Sequence, residues 1–467
     1  MKTLIIALLA SIASYFVAGF FGASHEVSIT IAITLLTAII WITEVIPIPV
    51  ASLIPFVGFP VAGVLTHKEA ASALGSHVIL LLMGAFMLAK AIEKSGVHER
   101  FALKMITLTG GNSSFRILLA FMATAAVLSM WISNTATTLA LLPVALAVLT
   151  YTDNPRFKLV LLLGLAYSAS LGGVGTLIGT PPNVIFASVY EEFAGQEYGF
   201  LRFMQTSVPI VIVAIPLMAL WLARGIKLDK EITFPQVGAW RSEEVRTLAV
   251  FVFVALLWVF RKEPFGGWSG ALGLTQVGDS TIALFGVVLM FLVPSGKYKD
   301  VEDKEGKPVK EPQKLLDWKT ASDIPWGMLL LFAGGICIAK AFVASGLSQV
   351  IGEGLSGITA LPIFVVMLII ALSVSFLTEI TSNTATATLL MPILASAAIS
   401  NNIPIELIMI PAVISCSCAF CLPVATAPNS IVFASGEVTI KQMAREGIFL
   451  NVIVAFVVAF VCYLTLA

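Results

Sequence analysis

Apolar residues run along this chain in long, nearly unbroken blocks separated by short polar stretches. Neither the alternation of a half-buried strand nor the one-sided stripe of a soluble helix describes them. About 20 consecutive apolar residues cross a bilayer as a helix. On that measure the blocks predict eleven spans, near 4–22, 28–46, 48–65, 77–94, 158–190, 204–224, 245–262, 280–295, 326–344, 404–435 and 446–465. Two further blocks, 115–150 and 361–400, are interrupted midway by polar residues and predict helical hairpins that enter the membrane and turn back. The first block follows a lone Lys2 and has no small-residue cleavage site leading into a polar region, so it reads as a span and not a signal peptide. The fold class is therefore an all-α polytopic membrane protein.

Composition agrees: 58% of residues are hydrophobic and 12% charged, against about 25% charged in soluble domains. Basic and acidic residues balance at 27 each, which gives no basic surface for a nucleic acid. With the N-terminus in the cytoplasm and each span crossing once, the basic residues sort 21 inside to 4 outside (Lys68, Arg202, Arg261 and Lys262). That asymmetry obeys the positive-inside rule and leaves the C-terminus outside. The Lys-rich stretch 295–325, with Gly306, Pro308 and Pro312, is then a cytoplasmic linker, too short for a folded regulatory domain.

Three segments recur in one order. LLLMGAFMLAKAI at 80–92 resembles LLLFAGGICIAKAF at 329–342, SNTATT at 133–138 matches SNTATA at 382–387, and GTPPNVIFAS at 179–188 resembles ATAPNSIVFAS at 425–435. The chain thus divides into a first span (1–26), a first repeat (27–224), a cytoplasmic connection (225–244) and a second repeat (245–467). The topology gives the repeats opposite orientations, a transporter signature that puts the binding site where they meet.

The polar interruptions fall at matched places. A lone Ser-Asn-Thr in an apolar helix is ordinarily a helix–helix hydrogen bond. Here it occurs twice, at Ser133-Asn134-Thr135 and Ser382-Asn383-Thr384, each partnered by a Pro-Asn break at Pro182-Asn183 or Pro428-Asn429. Glycines 172, 173, 175 and 179 and prolines 181, 182, 423 and 428 cannot sustain regular helix. Broken helix at membrane depth is tolerated where it is buried or lines a cavity. Its free carbonyls suit a hard cation, and its helix N-termini suit an anion. Of the intramembrane charges Glu44, Lys90, Glu93, Lys340 and Glu379, the first three read equally as structural pairs or functional groups, and Glu379 could tune the field at the second tip. No chain of buried carboxylates suggests a proton relay. Cys416, Cys418 and Cys421 have apolar neighbours and no nearby histidine, which favours free thiols over a metal site. His25, His67, His77 and His98 lie away from the tips, so no acid–base centre assembles and no enzyme is expected.

In these motifs, and over nearly its whole length, the chain resembles the divalent anion:sodium symporter family, carriers of succinate, malate and citrate. The resemblance implies a homodimer in a bacterial inner membrane, with a fixed scaffold and a transport domain moving elevator-fashion. Carried over by motif position, one Na⁺ site uses Ser129, Ser133, Asn134 and the Gly179 carbonyl, and the other uses Thr378, Thr381, Asn383 and the Ala425 carbonyl. The substrate carboxylates meet Asn134, Thr135, Ser382, Asn383 and Thr384, with Thr180 and Thr426 nearby. The implied activity is Na⁺-coupled uptake of C4-dicarboxylates (succinate, malate, fumarate) or related di- and tricarboxylates. A sodium-independent exchanger is the near alternative, and an anion channel a more distant one. The chain departs from many relatives at Ala427, where they have proline, and at Thr180, where they have serine.

Overall fold

The computed structural model describes residues 2–107, 113–150, 154–226, 238–262, 266–302, 308–354 and 361–467. Most of the 225–244 connection lies outside the described residues. Among the described residues seven helices are long and apolar enough to cross a membrane, including Lys2–Phe20, His25–Thr43, Phe200–Ala223 and Ile440–Leu466. Large apolar side chains such as Ile6, Phe16, Phe20, Val61 and Leu464 are exposed, as expected where lipid is the solvent. The buried polar residues concentrate instead in the hairpins and broken helices, including Ser129, Thr176, Asn183, Thr378, Glu379 and Asn429.

Both hairpins form. The first has arms Ser114–Ser129 and Asn134–Leu149, the second Ile363–Leu377 and Asn383–Ser400. An arm of 16 residues is about 24 Å long, short of the roughly 30 Å hydrocarbon core. Ser133 and Ser382 end the turns as N-caps, accepting the Ala136 and Ala385 N–H groups at 3.1 and 3.5 Å. Both broken helices form as well. Pro155–Gly173 resumes as Pro181–Ala194, and Ile405–Ser415 resumes as Ala427–Ala434.

These four pieces interlock. The first half of each broken helix packs on both arms of its own hairpin, and the second half packs on the hairpin of the other repeat. Small residues set the closest approach: a Cβ on Gly172 would overlap the Ala126 backbone, and one on Gly164 would sit 2.7 Å from Leu118. Surrounding this unit, His77–Ser95 and Trp326–Ser345 are the repeat-related helices carrying Lys90 and Lys340. Each ends at a left-handed glycine, Gly96 (φ 73°) or Gly346 (φ 78°), and turns into a short helix, Val97–Thr107 or Leu347–Gly354. This fourth repeated feature escaped the sequence reading.

Two other expectations change. The span read at 48–65 is two short helices, Ile48–Ala51 and Ile54–Val61, because Pro47, Pro49 and Pro55 interrupt the hydrogen-bond ladder of the apolar run. Glu44 caps the preceding helix with φ 49° and is exposed. The 295–325 linker is partly ordered, as an antiparallel pair of strands, Pro294–Glu302 and Pro308–Lys314, followed by helix Trp318–Ser322. Lys94 pins that helix to the bundle through Asp317 (2.5 Å), and the Lys94 ammonium with the Thr320 N–H holds the Asp317 carboxyl down to about 2.

The ion pairs respect the charge sorting. Arg100–Glu244, Lys297–Glu243, Arg156–Glu446 and Arg224–Glu446 join residues assigned to the Lys-rich side. Arg202–Glu406, Arg261–Glu197 and Lys262–Glu197 join residues of the opposite side.

The close approach at Gly172 generates a test. Gly172→Val is expected to force helix Pro155–Gly173 off the first hairpin, at a cost of about 1–3 kcal/mol or more. Thermal unfolding of the detergent-solubilised protein should show a clear drop in midpoint. The same change at Gly195, where a Cβ meets nothing within 4 Å but φ is 68°, should cost backbone strain alone.

Candidate functional site

The two tips and two breaks enclose a cavity of about 670 Å³. Ser133, Asn134, Thr135, Gly179, Thr180, Ser382, Asn383, Thr384, Ala425 and Thr426 all line it. Ser129, Thr378 and Thr381 are not in its lining, and Ser129 and Thr378 are fully buried. Every residue placed at the site by motif position thus falls in the cavity wall or in a hairpin turn or arm end beside it. Ala427 lines the cavity beside Pro428, as Pro181 does beside Pro182 in the first repeat.

The breaks are held by a matched pair of asparagines. Asn183 Nδ2 donates to the carbonyls of Gly173 (3.2 Å) and Thr176 (2.7 Å). Asn429 Nδ2 donates to those of Ala419 and Leu422, both at 3.0 Å. The donor-to-acceptor spacings are the same in both repeats, ten and seven residues. The breaks are also tied across the repeats: Thr180 Oγ1 lies 3.3 Å from Ser417 Oγ, and Ser170 Oγ donates to Thr426 Oγ1 at 3.5 Å. Sequence reading missed Ser170, Thr176 and Ser417, although Ser168-Ala169-Ser170 and Ser415-Cys416-Ser417 were a short recurring signal.

Oxygens converge at the first tip. A Cβ on Gly179 would lie 2.5 Å from the Gly173 carbonyl, 2.9 Å from that of Ser129 and 3.0 Å from that of Met130. A Cβ on Gly173 would lie 2.6 Å from Asn134 Oδ1. Ser129 Oγ donates to that same Oδ1 at 2.5 Å. Glycine is required at both positions, and the cluster of neutral oxygens it admits is the donor set of a hard monovalent cation. At the second tip, Asn383 Oδ1 is buried without a hydrogen-bond partner, an orphan acceptor that a cation would satisfy. Thr378 and Thr381 donate their hydroxyl protons to the Ser375 (3.1 Å) and Leu377 (2.8 Å) carbonyls; Thr381 Oγ1 also lies 2.7 Å from Thr386 Oγ1, and each threonine oxygen keeps a lone pair for a ligand. Ser133 Oγ accepts the Ala136 N–H as the cap of its helix and keeps one further lone pair toward the cavity it lines.

Charge is scarce. The charged residues lining the cavity are Lys90, Glu93 and Asp323, and the one lysine is shared by both acids: Lys90 Nζ lies 3.1 Å from Asp323 and 3.3 Å from Glu93. Pairing therefore accounts for Lys90 and Glu93. Neither tip nor break contributes a lysine or arginine. Among the described residues no cluster of His, Cys, Asp and Glu could hold a metal ion, and Cys416, Cys418 and Cys421 are free, buried thiols.

Known proteins share this plan. A crystal structure of the Alcanivorax borkumensis YdaH transporter superposes with a TM-score of 0.58 at 12% identity, over 94% of this chain and 98% of that one, and so has the same fold. The sodium-dependent dicarboxylate transporter SdcS of Staphylococcus saprophyticus is 38% identical over 93% of this chain and 85% of its own length. The protein of the same name in Staphylococcus aureus is 36% identical over the same shares. The citrate transporter family profile matches residues 38–407. With most of its length covered by that profile, the chain belongs to the citrate transporter family.

Proposed function

We propose that this protein is a secondary active carrier that couples uptake of C4-dicarboxylates (succinate, malate, fumarate) or related di- and tricarboxylates to Na⁺. The observation that carries the proposal is the single cavity walled by both Ser-Asn-Thr tips and both breaks, with neutral oxygens where cations belong and, in Lys90, a positive charge already paired with Glu93 and Asp323. A dianion placed there without compensation is costly to desolvate. Bound Na⁺ at the two tips supplies the missing charge. Asn134, Thr135, Ser382, Asn383 and Thr384, with Thr180 and Thr426, then meet the carboxylates through amides, hydroxyls and helix N-termini. Cations bind first and complete the anion site. The names of the two staphylococcal relatives, both sodium-dependent dicarboxylate transporters, support the same pairing of ion and substrate.

The interlocked hairpins and broken helices supply the body that moves, and the helices carrying Lys90 and Lys340 belong to the scaffold against which it slides. With the N-terminus in the cytoplasm, Lys90, Glu93 and the exposed Asp323 of the cavity wall lie toward the cytoplasmic side. Family resemblance extends the proposal to a homodimer in the bacterial inner membrane, with an extracytoplasmic C-terminus. No covalent chemistry is involved.

Radiolabelled succinate uptake into proteoliposomes tests the reading. Uptake is expected to require an inward Na⁺ gradient, to stop when choline replaces Na⁺, and to grow with an inside-negative potential. Uptake that ignores Na⁺ but needs dicarboxylate inside the vesicles would replace symport with exchange. Separately, Asn134→Ala and Asn383→Ala should each cut Na⁺-dependent uptake by at least about tenfold, a loss worth roughly 1.4 kcal/mol, while size-exclusion profiles stay like wild type. Substantial uptake in either variant would remove that tip from the site.

A further inference from the structure

We propose that Glu379 is a positioning residue that makes the second cation site the tighter of the two and the first to fill. The inference rests on the Na⁺-coupled reading above. Glu379 sits in the second turn, between Thr378 and Thr381, and is only 4% exposed. Its carboxylate accepts the backbone N–H groups of Phe420 (2.7 Å), Cys421 (2.9 Å) and Leu422 (3.1 Å), and the Asn451 side-chain amide (2.7 Å). Asn451 Oδ1 in turn accepts the Phe420 N–H at 3.2 Å. All four of these partners are donors, the arrangement that suits an anionic carboxylate. Among the described residues no lysine or arginine forms an ion pair with it.

The unwound segment after Ser415 is thereby gripped on both sides. Glu379 takes its N–H groups, and Asn429 takes the carbonyls of Ala419 and Leu422. The first repeat builds the same junction without charge. Aligning Asn134 with Asn383 puts Met130 opposite Glu379. There the Met130 carbonyl accepts Thr176 Oγ1 at 2.6 Å, and that hydroxyl accepts the Gly179 N–H at 3.1 Å. The two repeats thus share a geometry and differ by one buried anion. In a low-dielectric interior such a charge acts strongly over a few ångströms, and a cation held by Thr378, Thr381 and Asn383 is the charge nearest in sequence to balance it. The neutral first site has no such bias, so the second fills at lower Na⁺.

Glu379→Gln keeps the shape and removes the charge. Na⁺ binding without substrate, followed by the fluorescence of cavity-lining Trp131, should weaken by about tenfold or more. The Na⁺ concentration for half-maximal succinate uptake should rise in step, with maximal uptake at saturating Na⁺ near wild type. An unchanged Na⁺ dependence in the folded variant overturns the proposal. So does a fall in maximal uptake with no shift along the Na⁺ axis, which would mark a plain structural clasp. Should Glu379→Gln not fold, Ser129→Ala and Thr378→Ala decide: the high-affinity Na⁺ signal should survive the first and vanish in the second, and the reverse or equal loss defeats the claim. Wild-type uptake indifferent to Na⁺ would instead overturn the coupled reading itself, a result distinguishable from a Na⁺-dependent wild type with an unaltered Glu379→Gln.

Discussion

Backbone that leaves a helix inside a membrane must find partners within the protein, and the rest of this structure follows from how two asparagine side chains meet that demand. Asn183 and Asn429 each bridge two carbonyls across a break, with the same spacing in both repeats. Without them, two unwound segments would leave bare carbonyls in an apolar interior, at a cost of several kcal/mol for each unsatisfied group. With them, each helix can stop, turn and restart beside a hairpin tip. The Pro-Asn pair in each repeat therefore serves one device: proline stands in the first turn of the resumed helix, where its missing N–H leaves no bond unmade, and asparagine closes the gap behind it.

From that device the chemistry of the site follows. The restarted helices begin at Pro181 and Ala427, and the hairpin arms restart at Asn134 and Asn383, so four helix N-termini border one cavity. Their partial positive charge favours an anion but falls short of a full counter-charge for a dianion. The carbonyls and hydroxyls in and behind the tips favour a cation. A site with these two tendencies and no unpaired positive charge is one in which either ion helps the other to bind, which is the thermodynamic basis of coupling.

Much of this was legible in the sequence because lipid makes polar interruptions expensive. Ser-Asn-Thr in mid-span, twice and in register with two Pro-Asn breaks, could hardly be decorative, and the hairpins and broken helices stand where those residues put them. Hydropathy alone did not reveal that prolines divide 48–65, since proline leaves an apolar run apolar while removing its hydrogen bonds. The short helices Val97–Thr107 and Leu347–Gly354 were missed because they are brief and of mixed polarity, although the repeated Ser-Gly before each was a usable signal. The partners of Glu379 were out of reach for a different reason. They include backbone N–H groups 41 to 43 residues away, and a main-chain group leaves no mark in a sequence.

The account stands on an anion site that cations complete. Its most direct test is calorimetric titration of succinate into the detergent-purified protein, in sodium chloride and then in choline chloride of equal ionic strength. Heat of binding in sodium, affinity that falls steeply as Na⁺ is lowered, and no binding in choline are the predicted results. Succinate binding with the same affinity in both salts would contradict the account, because the cavity would then hold a dianion without a bound cation.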